Sequence, residues 1–74
     1  MADYMFGVAV HDGRTAGRER DRREAIAQRH GAEWTEIYDQ STGTWKSWFS
    51  CPNQGRPFDQ QTEEAVMKEV SDEQ

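Results

Sequence analysis

The chain has 74 residues, a formal net charge of −5 at pH 7, eight aromatic side chains and one cysteine. At this length folding buries only about 60% of the surface that the unfolded chain exposes, which leaves room for one core and one domain over residues 1–74 and excludes a second. An enclosed pocket of roughly 300 Å³ would use up much of that interior, so the size argues against an enzyme, and the lone Cys51 excludes an internal disulfide.

In residues 4–10, Tyr4, Phe6, Val8 and Val10 fall on one face of a strand and Met5, Gly7 and Ala9 on the other. Both sets are apolar, which predicts a central strand. Gly13 and Gly17 bracket a loop, and the Arg- and Glu-rich run after them is made of helix formers. It predicts a helix over 18–30, stopped by Gly31, whose only apolar residues are Ala25, Ile26 and Ala27. So narrow a stripe implies a helix lying lightly on its neighbours.

Over residues 33–39, Trp34, Glu36 and Tyr38 alternate with Thr35 and Ile37; over 44–51, Trp45, Ser47, Phe49 and Cys51 alternate with Lys46, Trp48 and Ser50. Gln40, Ser41, Thr42 and Gly43 lie between them as a hairpin connection, so the two runs pair antiparallel. Pro52, Asn53, Gly55 and Pro57 mark a loop, after which Asp59 is placed to cap a helix reaching Val70, with residues 71–74 frayed. The expected fold is α+β: a small three-stranded antiparallel sheet with two helices in the order β-α-β-β-α. Helices on one face leave the other open as a docking surface, and the aromatic residues are expected to supply the core.

Groups able to carry chemistry are few and scattered. His11, Asp12, His30 and Cys51 lack the paired spacing of a zinc module. No helix N-terminus directly follows Cys51 to stabilise a thiolate, and Gly13 and Gly17 lack the spacing and the following Lys of a phosphate-binding loop. No catalytic residue, metal ligand or cofactor is assigned.

The signals that remain concern binding. Residues 12–30 hold six arginines against four acids, whereas residues 59–74 hold six acids against one lysine, so the molecule has a basic and an acidic segment. Each is a solvated surface on one reading and a contact surface on the other. Trp45 and Phe49 share a face of their strand, so Trp48 projects from the opposite one and is the better exposed aromatic. These features suit a small non-enzymatic protein-binding module, of the kind phages and mobile elements use as stoichiometric inhibitors, directed at a protein or nucleoprotein. Its candidate contacts are Trp48, Trp34, Asp59, Glu63 and Glu64, the acids standing in for a nucleic-acid backbone. The alternative is a nucleic-acid-binding accessory domain acting through Arg18, Arg20, Arg22, Arg23 and Arg29 with an exposed aromatic. A homodimer through the open face or an edge strand is a further expectation. The lone thiol points to the cytoplasm; the apolar run at 4–10 is too short for a membrane span and lacks signal-peptide flanks.

Overall fold

The computed structural model describes residues 3–72. Its elements are β1 (Tyr4–His11), α1 (Gly17–Arg29), β2 (Glu33–Asp39), β3 (Thr44–Cys51) and α2 (Phe58–Asp72), an α+β fold in the expected order. The strands form one antiparallel sheet ordered β1-β3-β2, and both helices lie on the same side of it, contributing Ile26, Ala27 and Val66 to a core shared with Phe6, Trp34 and Phe49. The Cα trace spans only 15 Å in its thinnest direction, enough for one sheet and one helix layer. No helix among the described residues is long and apolar enough to cross a membrane.

The central strand is β3 and not β1, which lies at an edge and pairs with β3 alone. Both faces of β1 are apolar for another reason. Its register against β3 slips by one residue between Phe6 and Ala9, and Gly7 sits there with φ +62°. This is a β-bulge, in which two residues of one strand oppose one of its neighbour. Before it, Tyr4 and Phe6 face the helices opposite Cys51 and Phe49; after it, Ala9 and His11 do, opposite Ser47 and Trp45. Val8 and Val10 are thereby moved to the helix-free face, away from Phe6, where simple alternation would have kept them together. Only glycine suits the bulge: a Cβ on Gly7 would lie 3.0 Å from the Phe49 ring and 3.1 Å from Met67 Sδ, and L side chains rarely adopt its backbone conformation.

The β2–β3 hairpin closes as its sequence requires, with every residue from Glu33 to Asp39 in register against Ser50 to Thr44. The Asp39 carbonyl accepts the Thr42 and Gly43 amides, and its carboxylate accepts the Ser41 amide and hydroxyl, a local turn favoured by a short acidic side chain. At the end of α1, the Gly31 amide bonds the Gln28 carbonyl and the Ala32 amide bonds that of Ala27. This is a Schellman stop, completed by the buried Ala27 and Ala32.

The packing of α1 extends beyond its short apolar stripe. Arg22 and Arg23 precede Ile26 and Ala27 by one helical turn and share their faces. The Arg22 guanidinium donates to the carbonyls of Glu69 (2.8 Å) and Val70 (3.2 Å) near the end of α2, and Arg23 covers the Trp34 ring at 5.8 Å. In α2, Val66 is fully buried with Met67 and Val70 beside it. Asp59 lies inside the first turn and does not cap it; its carboxylate turns back to accept the amides of Gln54 and Gly55 and so fastens the preceding loop. The helix extends through Ser71 and Asp72, and residues 73 and 74 lie outside the described residues.

The aromatics divide in a way composition does not show. Phe6, Trp34 and Phe49 are buried, whereas Tyr38 and Phe58 are exposed; Tyr4, Trp45 and Trp48 are half-buried. Replacing Gly7 by Ala is expected to lower stability to urea by at least about 1–2 kcal/mol through the disfavoured backbone conformation and the Phe49 contact. Gly13→Ala, in open space, should change it by no more than about 0.5–1 kcal/mol; equal effects would show that the bulge does not require glycine.

Candidate functional site

Four of the six exposed large hydrophobic side chains among the described residues, Met5, Val8, Val10 and Ile37, lie on the helix-free face of the sheet. Alternation along β3 puts Lys46, Trp48 and Ser50 there; register places Thr35 and Ile37 of β2 beside them, and the bulge supplies Val8 and Val10 next to Met5. Val8 is 64% exposed, Val10 60%, Met5 52% and Ile37 46%, arranged around a half-buried Trp48 on the middle strand. The charges at its hairpin end neutralise one another: Lys46 Nζ is 3.2 Å from Asp39 Oδ2. The Ser41 hydroxyl and the Lys46 ammonium hold the Asp39 carboxyl at about 2, well below its ordinary range. At the far end of β2, exposed Glu33, in register with Ser50, adds an acid to the same face, and an exposed apolar patch rimmed by such polar groups is the mark of a contact surface for protein.

Of the residues singled out from sequence, Trp48 alone lies on this face. Trp34 points the other way, 8% exposed beneath α1, because Thr35 and not Trp34 shares the parity of Trp48 in the hairpin register. Asp59 is 4% exposed and committed to the loop amides. Glu63 accepts the Tyr4 hydroxyl at 2.6 Å, a bond that raises the Tyr4 phenol above its ordinary pKa. Glu64 stands exposed. The acidic helix thus spends Asp59 and Glu63 on its own fold.

The arginines behave similarly. Besides its α2 carbonyls, Arg22 lies 3.4 Å from Glu19; Arg23 bonds Glu19 at 3.1 Å and Arg29 bonds Glu69 at 3.1 Å. Arg18 is exposed and Arg20 half-buried on the same helix. Arg14, in the loop before α1, lies 5.7 Å over the Trp45 ring. Within the basic segment, Arg22 and Arg29 bridge α1 to α2, whereas Arg14 and Arg23 lie over aromatic rings.

A polar cluster not anticipated from sequence lies on the helix side, near the start of α1. Glu36, its side chain 4% exposed, accepts the Thr15 amide (3.1 Å) and hydroxyl (2.5 Å) on Oε2, and these bonds anchor a helix whose N-cap, Ala16, has no side-chain cap. Burial opposes ionisation of Glu36, but the Thr15 bonds and the nearby His11 and Arg14 outweigh it and lower its pKa. One sequence signal was available: a carboxylate alternating with Trp34 and Tyr38 faces inward and needs donors.

The same cluster contains a serine, a histidine and an acid, but not in the geometry of a nucleophile relay. His11 Nδ1 bonds the Gly13 carbonyl at 2.9 Å and therefore carries a proton. Ser47 Oγ (3.3 Å) and Glu36 Oε2 (3.5 Å) both lie against Nε2, whereas a relay places the acid on the nitrogen opposite the nucleophile. Ser47 is 1% exposed. Cys51 is buried too, and burial raises its thiol pKa, followed by the nearby Asp59, Asp3 and Glu63 charges, the reverse of an activated thiolate. Among the described residues no three His, Cys, Asp or Glu side chains converge to hold a metal ion.

Because the folded Glu36 pKa lies below the ordinary 4.5, its contribution to stability is complete above the unfolded value and is lost as pH falls through the folded one. Glu36→Gln should therefore remove part of the acid-induced loss of stability below about pH 4.5, while lowering stability at pH 7 by about 1.5–3 kcal/mol. Parallel urea titrations of both proteins at pH 7 and pH 3.5 measure this, and identical pH slopes would remove Glu36 from the account.

No protein-family model, characterised protein or solved structure matches this chain, so the chemistry of the helix-free face has to carry the functional argument on its own.

Proposed function

We propose that this protein is a small protein-binding module that docks through the helix-free face of its sheet. The observation that carries this is the exposure of Val8, Val10, Met5 and Ile37 around Trp48 on one face. Exposed apolar side chains gathered on one rigid surface gain roughly 25 cal/mol per Å² when a partner removes them from water. Trp48 at the middle is the residue type that anchors such contacts.

The distribution of charge favours this surface over the two charged helices. A nucleic-acid interface needs cations free to meet phosphates, and Arg22, Arg23 and Arg29 already have acidic or carbonyl partners. Mimicry of a nucleic-acid backbone needs a row of free acids, and Asp59 and Glu63 are bonded within the fold. The apolar face has no such competing use.

The test compares the wild-type chain with the double variant Val8→Lys and Val10→Lys, both tagged, in nuclease-treated extract. Both positions are exposed on an edge strand, where lysine is tolerated, and circular dichroism checks that the fold is unchanged. Retention of the same protein partner by wild type and its loss from the variant is the expected outcome. Equal retention by both would overturn the assignment of this face, and retention abolished by nuclease would transfer the function to the arginines.

A further inference from the structure

Resting on that assignment of the face, we infer that its occupant is a partner segment in which apolar side chains are followed by a lysine or arginine. The apolar side chains cover Val8, Val10, Ile37 and Trp48, and the cation enters a bay between Asp3 and Glu33 at the end of the sheet away from the hairpin turn.

The bay is a product of strand order. β1 and β2 start, and β3 ends, at this end of the sheet, where register sets Met5 and Glu33 on either side of Ser50. Asp3, one residue before β1, joins Glu33, Ser50 and Pro52 in lining a depression of about 350 Å³. Sites for whole small ligands begin at roughly 300 Å³, so the end of one long side chain fits. No lysine or arginine among the described residues lines it. Glu24 of α1 stands round the edge of β2, where it shares a second depression with Glu33, again without a basic residue.

These two carboxylates differ from the acids whose bonds hold the fold. Asp39 has Lys46, Glu36 has Thr15 and His11, Asp59 has the Gln54 and Gly55 amides, and Glu63 has Tyr4. Asp3 and Glu33 are exposed, and neither carboxylate has an ion-pair or hydrogen-bond partner among the described residues.

Charge is therefore graded along the helix-free face. Lys46 and Asp39 cancel at the hairpin end, whereas Asp3 and Glu33 leave the opposite end negative. Complementary potential gives specificity and register more than raw affinity. Apolar contact thus supplies the binding, while the bay selects a cation and sets the direction in which the segment lies. Along β3, Ser50 comes two residues after Trp48, about 7 Å at the rise of a strand. A segment seated on Trp48 places its cation about that far along the sheet. The net charge of −5 also draws basic segments and repels acidic ones and nucleic acid.

The test pans the immobilised full chain against a phage-displayed library of random peptides, then measures the best-enriched peptide by calorimetry at low and high salt. Enriched peptides are expected to share apolar residues beside a lysine or arginine. Asp3→Asn plus Glu33→Gln should weaken the peptide about three- to tenfold and flatten its salt dependence. Both positions are exposed, and circular dichroism checks that the fold is kept. The inference is overturned if no peptide is enriched, if the enriched peptides hold no excess of lysine and arginine, or if the double variant binds like wild type. Self-association of the chain alone in sedimentation, abolished by Val8→Lys plus Val10→Lys, would give the face to a second copy and overturn it too. Where the cation preference fails but peptide binding still requires Val8 and Val10, the docking assignment stands; peptide binding indifferent to those two residues defeats both.

Discussion

The β-bulge at Gly7 is the constraint on which the rest of the molecule depends. One extra residue in an edge strand lets Phe6 stack against Phe49, with ring centroids 5.5 Å apart, and then turns the alternation over so that Val8 and Val10 leave the core side. The same glycine leaves room for Met67, through which α2 closes on the sheet. One backbone position in the left-handed region thus supports the stacked rings, the seat of a helix and the apolar character of the opposite face.

The second organising feature is the use of charge where apolar surface is scarce. α1 has little to bury, yet it is held from both ends. At its start, Glu36 takes the Thr15 amide and hydroxyl; along its length, Arg22, with 17% of its side chain exposed, reaches carbonyls near the C-terminus of α2, where the helix dipole favours a cation. The contact of Arg29 with Glu69 is different in kind: at 63% exposure for Arg29, solvent screens it and it adds little. Arg22 and Glu36 are structural because they are partly withdrawn from water and hydrogen-bonded.

These two features explain why the two sides of the sheet differ. Arg22, Arg29, Asp59 and Glu63, which looked available for binding, are engaged within the fold, while Val8 and Val10, which looked like core, are displayed to solvent. Trp48 stands on the helix-free face and Trp34 beneath a guanidinium, although both are tryptophans in strands of one hairpin. The helix-free side of the sheet is thus an apolar surface edged by Lys46, Asp39 and Glu33, with the arginine-rich and acidic helices on the other side.

Much of the fold was legible in the sequence because it is local. The alternation over residues 33–39 and 44–51, the glycine closing the turn and Gly31 after a helical run determined the hairpin, the end of α1 and the projection of Trp48 by short-range sterics and hydrogen bonding. What only the tertiary structure decided required a second element to be in place. Gly7 is as compatible with an ordinary strand as with a bulge until Phe49 and Met67 pack on it, and β1 reads as central until the strand order puts it at an edge. Arg22, Arg23, Asp59 and Glu63 read as surface charge until the carbonyls, ring, amides and hydroxyl they contact arrive from elsewhere in the chain. Backbone periodicity is written in neighbouring residues, but the partner of a charge and the side to which a strand turns are settled by groups distant in sequence, and the helix-free face is the product of those choices.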